Sequence, residues 1–220
     1  MSDERAVGVI LRTRPLTETS LIAYWLTAEQ GRVATVAKGA RRPKSPFRGK
    51  LDLFHVADFT FARSRRSDLH TLREMELLRT HGSLRTDLGK LEKAAYFAGF
   101  IELATESDTP IPEFHDLMIA VLGHLDSFPA TSETVIGFEI QALDLLGLSP
   151  DWSRVRIPEP VKKLAVELAH FDWSQAGVPT GDGRWGTALK TFLHGFLIQH
   201  LGRLPYGRSR AHASEPTSRS

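Results

Sequence analysis

Hydrophobic positions follow two different periods along this chain. Up to about residue 79 they alternate with polar positions in short runs, as in half-buried β-strands. From Ser83 onward they recur every three or four residues, the spacing of one face of a helix. The predicted strands lie at 6–12, 21–27, 32–37, 53–62 and 69–78. The sequence therefore predicts an α+β protein in which five strands precede a mainly helical region.

Turn residues separate the predicted strands. Pro15 ends the first strand, and Gly31 closes a turn that joins the second and third strands as a hairpin. Within the first strand, Val7, Val9 and Leu11 should share the half-buried face. Five strands in about eighty residues predict a small barrel.

Proline and glycine residues bound most of the predicted helices. The first helix starts near Ser83, a shorter fourth helix begins near Pro160, and Thr131 or Ser132 can cap the third helix. The remaining helices are expected at 112–129, 133–146 and 189–201, with Gly147 and Gly202 after the last two. The segment from Gly207 has little to bury. The predicted organisation is a barrel domain at 1–79, a helical domain at 80–206 and a flexible tail at 207–220.

Charge is distributed unevenly between these regions. The whole chain has a formal net charge of +2, but residues 1–79 hold 15 basic and 9 acidic residues, whereas the remainder holds 13 and 17. Residues 32–50 contain seven Lys and Arg residues and no Asp or Glu. Such a concentration of positive charge favours a polyanion as partner, although a solvated surface loop would have the same composition.

Basic residues of the strand region are candidates for nucleic-acid binding, because Lys and Arg neutralise phosphates. They are Arg12, Arg14, Arg32, Lys38, Arg41, Arg42, Lys44, Arg48, Lys50, Arg65 and Arg66. Aromatic side chains can add stacking on bases. The aromatic residues of this region are Tyr24, Trp25, Phe47, Phe54, Phe59 and Phe61. Most of them must fill the barrel, so Phe47, in the irregular connector after the third strand, is the one expected at the surface.

The sequence lacks the motifs of several enzyme classes. We find no phosphate-binding glycine-rich loop, dinucleotide fingerprint, nucleophile elbow or zinc-protease motif, and the basic region has no carboxylate cluster for a two-metal nuclease. The chain has no cysteine, which removes thiolate zinc sites. No apolar run approaches the ~20 residues of a membrane span, and no signal peptide is recognisable. We therefore expect a cytoplasmic binding protein with no enzymatic activity, no cofactor, no metal and no membrane partner.

Three stretches in the first fifty residues carry a family resemblance. They lie at 9–16 with Glu18 and 21–26, at 27–31 and at 37–49, and the last, Ala-Lys-Gly-Ala-Arg-Arg-Pro-Lys-Ser-Pro-Phe-Arg-Gly, is the most specific. Weaker similarities continue at 51–61, 69–74, 94–103, 138–147 and 201–203, with Ser209 and Arg210. In these residues the chain resembles the RecO family of recombination mediators in bacterial DNA repair.

The resemblance implies both a fold and a function. It implies an N-terminal OB-fold followed by a helical domain, in agreement with the strand and helix pattern. Family members bind single- and double-stranded DNA and anneal complementary strands. With RecR they help to load RecA onto DNA coated by single-strand-binding protein. The resemblance therefore implies a non-enzymatic DNA-binding protein that acts at the bacterial nucleoid.

One feature of many RecO relatives has no counterpart here. They carry a four-cysteine zinc module in the helical domain, whereas this chain has no cysteine. Packing among aromatic residues is expected to stabilise the segment 149–186 instead, through Trp152, Phe171, Trp173 and Trp185. In the same domain, three basic residues are expected to receive the acidic, Phe-ended C-terminal tail of single-strand-binding protein: Lys162, Lys163 and Arg203.

Other partners for the basic connector stay open. We expect its lysines and arginines to hold the sugar-phosphate backbone on a flexible loop, so that two strands can meet. The same side chains would suit an acidic patch on RecR. A sequence-nonspecific RNA-binding OB protein is the main alternative function, because nothing in the sequence reads the 2′-hydroxyl. A transcription regulator is disfavoured, since the basic residues fall in predicted strands and loops and not in a recognition helix.

Overall fold

The computed structural model describes residues 3–213. Its strands are β1 (Asp3–Pro15), β2 (Leu21–Thr27), β3 (Gly31–Ala37), β4 (Val56–Ala62) and β5 (Leu69–Arg79). A 3₁₀ turn (Gly82–Arg85) precedes the helices α1 (Leu88–Ala104), α2 (Pro112–Ser127), α3 (Ser132–Leu145), α4 (Glu159–Ala169), α5 (Gly183–Leu201) and α6 (Arg208–Ala211). The predicted succession of five strands and then helices is confirmed, and α6 is an addition to it.

The five strands close into a barrel in the order β1-β2-β3-β5-β4. Neighbouring strands are antiparallel except β3 and β5, which run parallel where Ala34 pairs with Leu69. Tight turns can join antiparallel neighbours, whereas a parallel pair needs a long connection. Here that connection consists of the segment 38–55, β4 and the β4–β5 turn. The barrel and the helices after it confirm the predicted OB-type α+β fold.

Aromatic side chains fill the barrel interior. Trp25 and Phe59 stack with their ring centroids 4.1 Å apart, and Phe61 adjoins Phe59 at 5.7 Å. The indole Nε1 of Trp25 donates a hydrogen bond to Thr35 Oγ1 at 2.8 Å, so the one polar atom of this ring is satisfied inside an apolar core. Full burial of a large apolar side chain contributes about 1.5 to 3 kcal/mol, so this cluster is a main source of barrel stability.

The first strand differs from its prediction. Ala6 and Ile10 belong to the interior cluster, whereas Val7 is 45% exposed. Val9 and Leu11 are buried, but outside that cluster. A β-bulge at Leu11 also shifts the register of β1 against β2. Strict alternation misassigned the interior face because it assumes that only one face of a strand is covered.

Local capping residues mark the start of α3 and the ends of α3 and α5, as predicted. The side chain of Thr131 accepts a hydrogen bond from the backbone N of Thr134, whose side chain accepts one from the Thr131 backbone, so Thr131 caps α3. Gly147 follows α3 with φ of +68°, and Gly202 follows α5 with φ of +74°. Glycine adopts this left-handed conformation without the strain that a Cβ atom would cause.

Two helix starts differ from their predictions: α1 begins at Leu88, after the 3₁₀ turn, and not near Ser83, and α5 begins at Gly183 and not at Leu189. The earlier start of α5 follows a cap that the hydrophobic period does not show, in which the Asp182 side chain accepts a hydrogen bond from the backbone N of Arg184.

The described chain forms two compact units. One contains the barrel, up to His81, together with Thr105–Ile119, and the other contains Gly82–Ala104 and the chain from Ala120 onward. The segment 105–119 thus groups with the barrel, although the sequence places it in the helical domain. In the barrel unit, the backbone N of Asp108 donates to the Arg32 carbonyl at 3.0 Å, a long-range contact that leaves no sequence signal. The domain limits proposed from the sequence, at residues 79 and 206, remain predictions.

The segment after Gly207 differs from the predicted flexible tail as far as the structure describes it, to Ala213. Arg208 begins α6 and is only 6% exposed. Its Nε donates to Glu139 Oε1 at 2.7 Å, and its Nη2 donates to Glu139 Oε2 at 2.8 Å. Such a bidentate pair explains why this segment joins the helical unit. The rest of the predicted tail, 214–220, lies outside the described residues.

Candidate nucleic-acid interface

Strand register divides the loops of the barrel between its two ends. Pro15 pairs with Leu21, and Leu21 pairs with Ala37, so the loop 16–20 and the segment after β3 lie at one end. The turns 28–30 and 63–68 lie at the other end, where Gln30 Oε1 accepts a hydrogen bond from Arg63 Nη2 at 3.4 Å. We call residues 38–50 the basic loop, and the end of the barrel that carries it the basic end.

The basic loop is anchored by a side chain that the sequence placed at the surface. Phe47 is only 7% exposed and belongs to the hydrophobic cluster inside the barrel, together with Leu72 and Met75. Ala40 of the same loop also belongs to this cluster. The prediction that Phe47 is exposed was wrong. Because β3 ends at Ala37 while β5 continues, the loop covers apolar interior that the shorter strand leaves open.

A series of short turns gives the basic loop a defined backbone path. The backbone N of Arg42 donates to the Gly39 carbonyl at 3.0 Å, and that of Ser45 donates to the Arg42 carbonyl at 3.1 Å. The backbone N of Arg41 donates to the Thr19 carbonyl at 2.9 Å, which ties the basic loop to the loop 16–20. Gly39 has φ of +69°, a conformation that favours glycine. These contacts hold the backbone, and the charged side chains project from it.

Five cationic side chains of the basic loop are exposed. They are Lys38, Arg41, Arg42, Lys44 and Arg48. Within residues 3–213, none of the five forms an ion pair with a carboxylate. One of them, Arg48, donates from Nη1 to the Pro43 carbonyl at 3.2 Å. Their positive charge is therefore available to an external anion.

Two arginines of β1 extend the positive charge along the outside of the barrel. Arg14 is exposed near the end of the strand, and Arg12 lies opposite Tyr24 of β2. The guanidinium carbon of Arg12 lies 4.0 Å from the centroid of the Tyr24 ring, within cation–π distance.

Lys50, the last residue of the basic loop, is partly buried, and its Nζ lies 3.5 Å from the Met75 carbonyl oxygen. Lys50 thus helps to attach the basic loop to β5.

Three predicted nucleic-acid-binding arginines do not join the basic end. Arg32 is partly buried, and its guanidinium donates to Thr105 Oγ1 at 2.9 Å and to the Thr105 carbonyl at 2.7 Å. Arg65 and Arg66 are exposed in the β4–β5 turn, at the opposite end of the barrel. The predicted set therefore does not form one surface. Residue type could not show this, because strand pairing decides which loops share an end.

Carboxylates balance the positive charge beside the β4–β5 turn. Arg63 Nε donates to Glu4 Oε1 at 2.8 Å, and Arg63 Nη1 donates to Asp108 Oδ1 at 3.0 Å. The hydrogen bond to Glu4 is the main reason that the pKa of Arg63 lies above its ordinary value. This end of the barrel therefore combines both signs of charge, unlike the basic loop.

A second candidate surface is an apolar groove in the helical unit. It has a volume of about 1100 Å³, and its lining includes Trp152, Lys162, Lys163, Leu164, Val166 and Trp185. Lys162 Nζ lies 3.6 Å from Glu159 and Lys163 Nζ lies 3.9 Å from Glu167, so each lysine has a carboxylate within α4. Arg203 is exposed after α5 and does not line the groove. Sequence reasoning found the two lysines but not the groove, because separate segments of the chain form it.

The tryptophans of the segment 149–186 divide between core and groove. Trp173 is 5% exposed, its Nε1 donates to Gln141 Oε1 at 2.7 Å, and its ring meets Phe171 edge-on at 5.2 Å. Trp185 is 36% exposed and lines the groove together with Trp152. The expected aromatic packing is therefore present for Phe171 and Trp173, whereas the other two rings contribute to a surface.

Residues 3–213 contain no candidate for a membrane span and none for a metal centre. No helix in that range combines the length and apolar character needed to cross a membrane. No group of three or more His, Asp or Glu side chains in the same range is arranged to hold a metal ion.

Comparison with known proteins gives consistent matches along the chain. Residues 1–81 match the family described as "Recombination protein O N terminal", and residues 85–156 match "Recombination protein O C terminal". The DNA repair protein RecO of Anaeromyxobacter dehalogenans strain 2CP-C is 32% identical over 217 residues, which cover 98% of this chain and 84% of that protein. The DNA repair protein RecO of Rhodopirellula baltica is 35% identical over 151 residues, but the aligned part covers 69% of this chain and only 56% of that protein. With both domains of the family matched, and a relative aligned over nearly the whole chain, this chain belongs to the RecO family of DNA repair proteins.

Proposed function

We propose that this protein is a DNA-binding recombination mediator that binds single- and double-stranded DNA through the basic end of its barrel. It anneals complementary strands and, with RecR, assists the loading of RecA onto DNA coated by single-strand-binding protein. The observation that carries the proposal is the set of exposed cations on the basic loop, which form no ion pair with a carboxylate within residues 3–213. Family membership supports the same conclusion.

The chemistry of this surface suits a phosphodiester backbone of any sequence. Each Lys or Arg that neutralises a phosphate releases condensed counterions, so binding is strong at low salt and weakens as salt rises. Most aromatic side chains of the barrel are buried, and the cations of the basic end lie in a loop and a strand and not in a helix. The interface therefore has few means of reading base edges, and we expect little sequence preference.

Annealing follows from the same charges. Two complementary single strands repel each other through their phosphates, and a cationic surface that holds both lowers this repulsion. The buried Phe47 and the turns of the basic loop keep its charges together, and within residues 3–213 these charges have no carboxylate partner. Neither annealing nor delivery of DNA to RecA requires a reaction at this surface, so the proposed function is binding without enzymatic turnover.

The groove of the helical unit is the proposed site for the acidic, Phe-ended tail of single-strand-binding protein. Its apolar lining suits a phenylalanine ring, and Lys162 and Lys163 can meet acidic side chains. The carboxylates of Glu159 and Glu167 reduce the positive charge there. We therefore expect apolar contact with Trp152 and Trp185 to supply more of this affinity than charge does, with Arg203 outside the groove in a minor role.

The deciding experiment measures DNA affinity across a salt series for the double variant Arg41→Ala/Arg42→Ala. Removing two phosphate contacts should reduce the slope of log affinity against log salt by about 1 to 2 and slow strand annealing. The matched control is Arg65→Ala/Arg66→Ala, which removes the same charge at the opposite end of the barrel and should change the slope little. Both pairs are exposed, so the thermal midpoint should move little in either variant.

Two results would contradict the proposal. An unchanged slope in Arg41→Ala/Arg42→Ala, together with loss of RecR binding, would make the basic loop a protein interface. Equal effects of the two double variants would mean that DNA affinity depends on the net charge of the protein and not on the basic end.

Competition between single-stranded DNA and RNA of equal length would detect the RNA-binding alternative, in which RNA binds more tightly.

A further inference from the structure

We propose that Arg12 and Tyr24 form a stacking subsite for one unpaired nucleobase, on the outer face of the barrel beside the basic end. This inference rests on the proposed binding of DNA. It adds a part of the interface that distinguishes single strands from duplex, which the basic loop, as a binder of phosphates, does not do.

Exposure singles out Tyr24 among the aromatic residues. Every other Phe, Tyr or Trp side chain of the barrel unit is at most 7% exposed, and Phe47 is the least buried of these. Tyr24 is partly exposed. Ala23 and Trp25, its neighbours in β2, belong to the interior cluster, so alternation along the strand directs Tyr24 to the outside. A base that stacks on an aromatic ring of this unit therefore has Tyr24 as its platform.

The position of Arg12 gives the platform a second stacking group. The β-bulge at Leu11 lies directly before Arg12, and bulges commonly re-aim a side chain next to a binding site. The guanidinium carbon of Arg12 lies 4.0 Å from the centre of the Tyr24 ring. A guanidinium is planar and stacks on aromatic faces. Arg12 and Tyr24 therefore form one stacked pair, and a base can extend the stack against a free face of either group.

The subsite lies within reach of a strand held at the basic end. Tyr24 is three residues along β2 from Leu21, which pairs with Ala37, the last residue of β3 before the basic loop. Three residues of an extended strand span about 10 Å. Arg14 lies two residues beyond Arg12 in the direction of the same end. The cations can therefore contact phosphates while a base of the same strand turns toward Tyr24.

Base stacking on a side chain is available only to single strands. In a duplex the faces of each base are covered by neighbouring bases, and exposing one requires unstacking. In a single strand every base has a free face, and stacking tolerates all four bases. The subsite should therefore strengthen single-strand binding, leave duplex binding unchanged, and release its base when the complementary strand pairs.

The test compares oligothymidylate with an abasic oligomer of the same length and charge, by fluorescence anisotropy. Both ligands offer the same phosphates, so the ratio of their affinities isolates the contribution of the bases. Tyr24→Leu should reduce this ratio by about fivefold or more, from the energy of one stacked base. Tyr24→Phe is the matched control and should keep the ratio. Duplex affinity should stay the same in both variants.

A second variant decides the question even if Tyr24→Leu does not fold. Arg12→Lys keeps the positive charge and removes the planar guanidinium, so the ratio should fall while the salt slope stays the same. An unchanged ratio in Arg12→Lys and in every folded variant at Tyr24 would overturn the subsite. Failure of the proposed function would give a different result. The salt slope of Arg41→Ala/Arg42→Ala would then equal that of the wild type, whatever affinity ratio the Tyr24 variants show.

Discussion

Arg41 and Arg42 of the basic loop and Arg208 of α6 are the same residue type in opposite surroundings. The first two are exposed and form no ion pair with a carboxylate within residues 3–213, whereas Arg208 is 6% exposed and forms a bidentate pair with the fully buried Glu139. Exposed cations on a fixed loop can bind an external anion, and a buried pair holds two parts of the chain together. The packing around an arginine, and not its place in the sequence, decides which of these roles it has.

The surroundings of Glu139 extend this contrast. Tyr96 OH donates to Glu139 Oε1 at 2.6 Å, and His212 Nε2 lies 3.6 Å from the same oxygen. Burial raises the pKa of Tyr96 well above its ordinary value. His212 Nδ1 lies 2.9 Å from Ser132 Oγ. We call Tyr96, Glu139, Arg208 and His212, which are buried in the helical unit, the buried cluster. It joins α1, α3 and α6, whereas the charges of the basic loop all come from one segment.

The largest expected effect is on the buried cluster. Arg208→Met leaves the buried Glu139 carboxylate without its guanidinium partner, so we expect the free energy of unfolding to fall by about 3 to 5 kcal/mol. A urea titration monitored by circular dichroism measures this loss. The matched control is Arg210→Met, because Arg210 lies in the same helix but is exposed, and it should change stability by less than about 0.5 kcal/mol. Equal losses in both variants would mean that the ion pair does not hold α6 in place.

A smaller loss of stability is expected when Phe47, which anchors the basic loop in the barrel interior, is replaced. Phe47→Ala removes a large side chain from the barrel interior and should cost about 3 kcal/mol. It should also weaken DNA binding at constant charge, because the loop loses its anchor. Phe47→Leu keeps an apolar anchor and should retain most of the DNA affinity. If Phe47→Ala binds DNA as wild type does, the cations of the loop act without a fixed backbone.

The smallest effect is a pH dependence within the buried cluster. Burial is the main reason that the pKa of His212 lies below its ordinary value of 6.5. Burial acts to raise the pKa of Glu139, but the facing His212 and Arg208 hold it below its ordinary value of 4.5. A group with a lowered pKa in the folded state stabilises the fold above its unfolded pKa and loses that contribution as the pH falls. Stability should therefore decrease below about pH 6.5 through His212, and again below about pH 4.5 through Glu139.

Urea unfolding at pH 7.5 and 5.5 tests the contribution of His212. The free energy of unfolding of the wild type should fall between these two values, and His212→Gln should show a smaller fall. Some dependence should remain in the variant, because burial also lowers the pKa of His124. The protonated His212 would face Arg208 and the ammonium of Lys190 as well as Glu139, which adds repulsion to the cost of burying its charge. An identical fall in both proteins would remove His212 from the explanation.

Elements whose signals are local could be predicted closely. The hairpin of β2 and β3, the Thr131 cap of α3, and the glycines after α3 and α5 all depend on residues within a few positions of one another. Their physical causes are short-range hydrogen bonds and backbone sterics, which a sequence displays directly. The basic loop was also found from the sequence, because seven cations without a carboxylate are visible in residues 32–50.

Features that depend on distant contacts could not be predicted in the same way. Phe47 looked like a loop residue at the surface, but the closed barrel provides an apolar cavity that it fills. Arg65 and Arg66 look like the arginines of the basic loop, yet strand pairing puts them at the other end of the barrel. The buried place of Arg208 depends on Glu139, 69 residues earlier in the chain. Periodicity and composition contain no information about such pairs.

By itself, the sequence determined the order of strands and helices, the positions of several helix ends, the basic loop and the family resemblance. Each of these follows from local backbone preference, hydrophobic period or charge density. Only the tertiary structure decided which cations share the basic end, that Phe47 is buried and Tyr24 is left partly exposed, and that Arg208 is buried. These outcomes depend on which distant surfaces exclude water from one another, and that is settled only when the barrel closes and the helices pack.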